Sequence, residues 1–216
     1  MRRTAAMAAA LLLWLNGNAH ATPITGTLWG TSESVAQNAI PANVPLTAPD
    51  VIFNVNAPLD FNPLEIGPQS VVEWLLSGGA FNITGSGAAL SRPMAVPGST
   101  GTIVQFFGFV TVTTGQMFAV THDDGLTLLI GATNLGFDPG PTGPIMSTAT
   151  YTGPSGTFPF QLVYGECCGS PAVLQVDLPL QPQPVPEPAT LTLIGTGFAL
   201  AGLRRRFHRR RVTGND

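Results

Sequence analysis

The chain has 216 residues, of which 25 are glycine and 20 proline, with 44% hydrophobic and 10% charged residues and a formal net charge of −3. The charge is unevenly placed: there is no lysine, and Arg92 is the single basic residue between Thr22 and Pro184, against ten acidic ones, so this part carries 1 − 10 = −9. Such a surface repels phosphate backbones and excludes nucleic acid as a partner, while cations complement it.

The N-terminus opens with Arg2 and Arg3, continues as an apolar run from Ala5 to Leu15 and ends in Ala19-His20-Ala21. A basic start, an apolar middle and small residues at −3 and −1 of a cleavage site make residues 1–21 a secretory signal peptide, expected as a helix, with Thr22 the first mature residue. Residues 22–178 then form one domain long enough to bury a core. Short apolar runs between glycine- and proline-rich turns predict many short strands. One or two edge strands are expected from Thr22 to Pro49. Strands follow at Val51–Val55 and Phe81–Thr84, separated by a single helix over Ser70–Leu76. Thr102–Thr113 is apolar on both faces and belongs in the middle of a sandwich. Gln116–Thr121 and Leu126–Ile130 are joined by His122-Asp123-Asp124-Gly125. Phe158–Tyr164 and Ala172–Leu178 flank Gly165-Glu166-Cys167-Cys168-Gly169-Ser170. The fold class is all-β, a jelly-roll-like antiparallel β-sandwich.

Asp123 and Asp124 admit two readings. Asp-Gly is a hairpin dipeptide whose aspartate caps the turn. Two neighbouring carboxylates also repel unless a cation or hydrogen bonds compensate, and Ca²⁺ takes six to eight oxygen ligands. The stretch Phe118-Ala-Val-Thr-His-Asp-Asp-Gly-Leu-Thr-Leu-Leu-Ile-Gly131, with Tyr164, the Glu166–Ser170 loop and Ala172-Val-Leu-Gln-Val176, resembles the protective-antigen-type β-sandwich domain found in flocculins and fibro-slime proteins. The resemblance spans about Gly101 to Leu178. It implies a Ca²⁺ held by Asp123 and Asp124 that coordinates sugar hydroxyls, with a cis peptide between the aspartates in some members. That family takes a further polar ligand from a second loop, commonly asparagine. None stands between Glu166 and Ser170, so Asn134, Asp138 and Glu166 are the candidate substitutes. His122, Tyr164, Cys167 and Cys168 complete the candidate ligand-binding set.

Cys167 and Cys168 are the only cysteines. In an oxidising compartment they form a disulfide with each other, crosslink two chains or share a metal. Their Cα atoms, about 3.8 Å apart across a trans peptide, sit below the usual disulfide span of about 4.4–6.8 Å, which leaves a vicinal bond strained but attainable. Metal is the weakest of the three, because no further cysteine completes a site. The mature domain holds one histidine, His122, and no nucleophile elbow, and nothing in the sequence brings Asp123 and Glu166 into a glycosidase pair, so no enzyme activity is expected.

Residues 179–188 are a proline-rich spacer ending in Pro186-Glu187-Pro188. Residues 189–203 carry no charge and form a hydrophobic helix, followed in 204–216 by Arg204, Arg205, Arg206, Arg209, Arg210 and Arg211. Fifteen helical residues span only about 22 Å against a hydrocarbon core of about 30 Å, a gap that snorkelling arginines on the cytoplasmic side shorten. This order resembles the PEP-CTERM sorting signals. The resemblance implies a Gram-negative bacterium that makes exopolysaccharide, recognition by an exosortase, a transient stay in the inner membrane, and release to the cell surface or extracellular matrix. The expected role is non-enzymatic, either binding extracellular polysaccharide through Ca²⁺ or serving as a ligand-free matrix protein crosslinked through its cysteines.

Overall fold

The longest strand, Thr100–Val112, organises a computed structural model that describes residues 23–179. In chain order the strands are β1 (Ile24–Ser32), β2 (Val51–Val55), β3 (Leu59–Phe61), β4 (Phe81–Gly85), β5 (Thr100–Val112), β6 (Met117–Asp123), β7 (Leu126–Ile130), β8 (Thr133–Asn134), β9 (Ile145–Thr150), β10 (Gly156–Glu166) and β11 (Val173–Val176). Three short α-helices intervene, α1 (Glu33–Ala36), α2 (Val71–Ser77) and α3 (Gly87–Ser91), together with a 3-10 turn at Pro41–Asn43. A seven-stranded sheet, ordered β4-β2-β1-β5-β10-β7-β8, faces a four-stranded one, β3-β11-β6-β9, and neighbouring strands pair antiparallel throughout. The expected β-sandwich is the architecture observed.

β5 is buried on both faces for two separate reasons. Val104, Phe106, Val110 and Val112 enter the core between the sheets, while Ile103 joins Trp29, Ala39 and Val163 in a second cluster on the outer face. That outer face is covered by the segment running from α1. A Cβ on Gly101 or Gly165 would strike Ala36, so these two glycines let the α1 backbone lie directly on β5 and β10. Residues 22–49 therefore do not supply edge strands: β1 lies between β2 and β5, in the interior of the sheet. Its polar alternation, Thr25 and Thr27, looks like an edge because the outer cover is invisible in local pattern.

The helix at Ser70–Leu76 is real, running over Val71–Ser77 behind a Ser70 N-cap. The Ser70 hydroxyl accepts from Glu73 N–H and the Glu73 carboxylate accepts from Ser70 N–H at 2.9 Å, a reciprocal cap that contributes about 1 kcal/mol. It is not the sole helix, since α1 and α3 each form a single turn. Val71, Trp74 and Leu75, at helical spacing, are buried. Trp74 stacks on Phe61 at 4.1 Å and on Tyr164 at 5.8 Å, while Phe53 meets Phe106 edge-on at 5.7 Å. Aromatic contacts of this kind add about 0.5–1.5 kcal/mol each beyond area burial. They fix Tyr164, and with it the end of β10, against the core.

Among the described residues no helix is long and apolar enough to cross a membrane. The signal peptide, the spacer beyond Pro179, the segment 189–203 and the arginine cluster lie outside the described residues.

Candidate functional site

Crossings of the chain between the two sheets meet at one end of the sandwich, one of them being residues 135–144, which lead from β8 to Ile145 opposite His122. β6 belongs to the four-stranded sheet and β7 to the seven-stranded one, so Asp124 and Gly125 carry the chain across; β10 and β11 are joined by residues 167–172 in the opposite direction. The crossings are adjacent because β6 pairs with β11, placing Asp123 opposite Val173, and β7 pairs with β10, placing Leu126 opposite Tyr164. Asp-Asp-Gly is thus not a hairpin turn: β6 runs through His122 and Asp123, and the strands it joins never pair. A Cβ on Gly125 would collide with the backbone of Pro139 and Gly140, so glycine is required by a third loop pressing on the crossing. The Asp123–Asp124 peptide is cis.

These loops enclose an open pocket of about 350 Å³, floored by Asp123 and Asp124 and walled by residues 141–144 on one side and 167–171 on the other. Asp124 is tied in place: one carboxylate oxygen accepts from Cys167 N–H at 2.7 Å and the other from Thr142 N–H at 3.0 Å. Asp123, only 7% exposed, has the neighbouring Asp124 carboxyl as its side-chain hydrogen-bond partner. Glu166, at 1% exposed, lies beneath, and one ligand atom of each of Asp123, Asp124 and Glu166 falls within 4.8 Å of the others. Two full charges at that distance repel by roughly 3 kcal/mol at an effective dielectric of about 20. Arg92 does not relieve this; its guanidinium donates to Thr102 Oγ1 at 2.9 Å and to the Pro93 carbonyl at 3.1 Å.

The carboxyls respond by holding protons. Burial, then the charge of Asp124, the side-chain hydrogen bond shared with it and the Glu65 charge, push Asp123 up to about 7. Burial also raises Asp124, opposed by the hydrogen bonds from Cys167 and Thr142. Glu166 rises well above its ordinary value, chiefly through burial. The Tyr164 hydroxyl approaches both the Asp123 carbonyl and Glu166 Oε2, the latter at 2.7 Å. One phenolic hydrogen cannot serve two acceptors at once, so Tyr164 donates either to the Asp123 carbonyl or to Glu166.

Several expected ligand residues take other roles. His122 is 1% exposed; Nδ1 donates to the Asp124 carbonyl at 2.5 Å, and Nε2 accepts from Ser147 Oγ at 2.9 Å. It braces the crossing and has no nitrogen left for a ligand. Tyr164 is fully buried and likewise supports the floor rather than facing the pocket. Asn134 pairs with Leu129, five residues along from Asp124 and thus roughly 15 Å away at about 3.3 Å per residue. Its Oδ1 accepts from Gly136 N–H, while Asp138 Oδ1 accepts from Gly140 N–H at 2.8 Å. Both side chains close local turns, and neither joins the acidic group formed by Asp123, Asp124 and Glu166. Asp138 instead contributes its carbonyl, accepting from Leu126 N–H. Cys167 and Cys168 are bonded to each other, with Cys167 buried and Cys168 at the pocket wall. Thr142 and residues 141–144 escaped sequence reasoning, because the uncharged Pro-Thr-Gly-Pro reads only as a turn; Glu65, whose charge is felt at Asp123, carried no motif.

The chain matches the PEP-CTERM protein-sorting motif over residues 184–210. No curated protein matches it. Among solved structures, the described fold is similar to a PA14 sugar-binding domain from an RTX adhesin, at 18% identity and a TM-score of 0.50 over 74% of this chain and 90% of that one. It is also similar to the PA14 domain of the antifreeze protein MpAFP, at 19% identity and a TM-score of 0.45 over 75% and 84%. At such identity the adhesin comparison establishes a shared fold. The chain is therefore an exported protein that carries a PEP-CTERM protein-sorting motif C-terminal to a β-sandwich of the PA14 fold.

Proposed function

We propose that this protein binds extracellular glycan through a Ca²⁺ ion held by Asp123 and Asp124, and that it acts in the exopolysaccharide matrix after exosortase processing. The observation that carries this reading is the Asp123–Asp124 carboxyl pair, both residues more than nine-tenths buried and set together at the floor of an open pocket. The donor set fits the ion, since carboxylate oxygens dominate and no sulfur is free to favour a softer metal. A bound Ca²⁺ supplies coordination positions for sugar hydroxyls. The protein's part is to orient Asp124 through Cys167 and Thr142 N–H and to present Cys168, Pro141, Pro144 and Pro171 as an apolar wall for a sugar face. The adhesin domain of the same fold is named as sugar-binding, in agreement with this reading. A ligand-free matrix protein crosslinked through cysteines is disfavoured, because the bond between Cys167 and Cys168 leaves no thiol. A glycan array probed with Ca²⁺, with chelator, and with Asp124→Ala tests the proposal. Binding is expected in the first case and lost in the other two; glycan binding indifferent to chelator refutes it.

A further inference from the structure

We propose that β9 is an assembly edge: it pairs antiparallel with β9 of a second copy of this chain, joining two four-stranded sheets into one of eight strands across a two-fold axis. β9 ends its sheet, bonded to β6 on one side, and among the described residues nothing pairs with its other side. A row of unpaired backbone N–H and C=O groups is a template for another strand, and edges are ordinarily blunted by shortness, charge, proline or a bulge. The other three edges are blunted in these ways. β3 has three residues, carries Asp60 and follows Pro58, and β8 has two residues. β4 breaks register against β2 between Ile52 and Asn54, and its Asn82 has a φ of 52°. β9 differs: it has six residues, Ile145-Met-Ser-Thr-Ala-Thr150, with no charge, proline, glycine or register break.

Charge selects the second copy as occupant. The domain carries −9, so a copy approaches most easily where acids are absent, and a basic peptide gains nothing at a neutral edge. Residues 139–144 and 151–155, which flank β9, hold no charge, and neither do the outward residues of β6, Met117, Ala119 and Thr121. Asp60 stands three strands from β9, about 14 Å at about 4.8 Å per strand, beyond a Debye length of about 8 Å. The chain's own continuation does not fit the edge, because Pro182, Pro184, Pro186 and Pro188 remove every second N–H. The register follows from the faces. Ser147 and Ala149 lie opposite the buried Val120 and Phe118, so they point inward, while Met146, Thr148 and Thr150 point outward. Opposed residues must share a face. Centring on Thr148 meets this condition, setting Met146 against Thr150 of the second copy and Ser147 against its Ala149. Centring on Ser147 instead sets Pro144, which has no N–H, against Thr150. Met146, 69% exposed, then covers Thr150 of the second copy. Antiparallel pairing puts the two pocket walls at 141–144 about 25 Å apart along the strands, at opposite ends of the joint sheet. On the glycan reading above such a dimer joins two glycan chains; the pairing itself does not rest on that reading.

The experiment is sedimentation velocity of the exported protein over a concentration series, with variants of the central threonine. The unaltered protein is expected to dimerise reversibly and without response to reductant. Thr148→Lys sets two like charges opposite each other on the axis and is expected to weaken the dimer about tenfold or more. Thr148 is exposed, and near-UV circular dichroism checks that the variant keeps its aromatic core. Thr148→Cys is expected to yield a covalent dimer with a short bis-maleimide, since the two side chains face each other, whereas Thr84→Cys on the β4 edge is expected to stay monomeric. A protein monomeric at every concentration, or a Thr148→Lys dimer as tight as the unaltered one, overturns the assembly edge and leaves the glycan reading standing. A Thr148→Cys variant that crosslinks no better than Thr84→Cys places the contact elsewhere and overturns it as well.

Discussion

Raising the pH on the cation-free protein tests whether the floor of the pocket is electrostatically strained. Asp123 titrates near 3.8 when exposed and at about 7 in the fold. A carboxyl whose folded value is raised stabilises the fold through its protonated form. That contribution is complete below about 4 and is lost as the pH rises through about 7. The rise from 3.8 to about 7 sets a ceiling near 4 kcal/mol, at roughly 1.4 kcal/mol per tenfold change in proton affinity. Solvent reaching Asp123 through the open pocket lowers this to about 2–4 kcal/mol. At about 2–4 °C per kcal/mol for a domain of this size, the melting temperature should fall by roughly 5–15 °C between about pH 4.5 and 8 in chelator. Glu166, raised well above its ordinary value chiefly by burial, adds a loss of the same sign. Millimolar Ca²⁺ should restore most of the lost stability at the alkaline end, because it offsets the same repulsion, and should do little at the acid end. Asp123→Asn should flatten the cation-free profile. Scanning calorimetry across the pH series reads all of this. A cation-free melting temperature that is constant or rises over that window would show that the carboxylates are not strained, and the reasoning from burial would fail.

Gly125→Ala should destabilise the domain by about 1–3 kcal/mol, since its Cβ meets the Pro139 and Gly140 backbone and no side chain can yield; a denaturant midpoint unchanged from the unaltered protein would contradict the packing described. The exported protein should contain no free thiol, and peptide mapping should find Cys167 and Cys168 in one oxidised peptide; quantitative labelling without reductant would refute this, and a reductant-sensitive dimer would point to crosslinking. Replacing Glu187 together with Arg204, Arg205 and Arg206 should block correct sorting, and mass spectrometry of the exported form should end at or before Leu203. An exported chain retaining Arg211 would overturn the processing step.

The sorting motif was legible in the sequence because it is contiguous. The order of Pro-Glu-Pro, an uncharged stretch and arginines needs no tertiary contact to be read. The sandwich was legible for a similar reason. Strand periodicity and turn residues located β2 and β7 to the residue, and the two apolar faces of β5 placed it centrally. The Asp-Asp pair was visible as a site, but its surroundings were not. Period-two alternation assigns a face and cannot say what covers it, so His122 and Tyr164 looked like ligands when they brace the floor from within. β1 likewise passed for an edge. The partners of Asp124 come from 18 and 43 residues away, and both are backbone N–H groups, which every residue but proline carries and no motif marks. Only the crossing of β6 to β7 beside those of β8 to β9 and β10 to β11 brings Thr142, Cys167 and Glu166 around the aspartates. Adjacency of this kind is decided by strand order in the two sheets, and strand order is a property of long-range pairing rather than of any local stretch of residues.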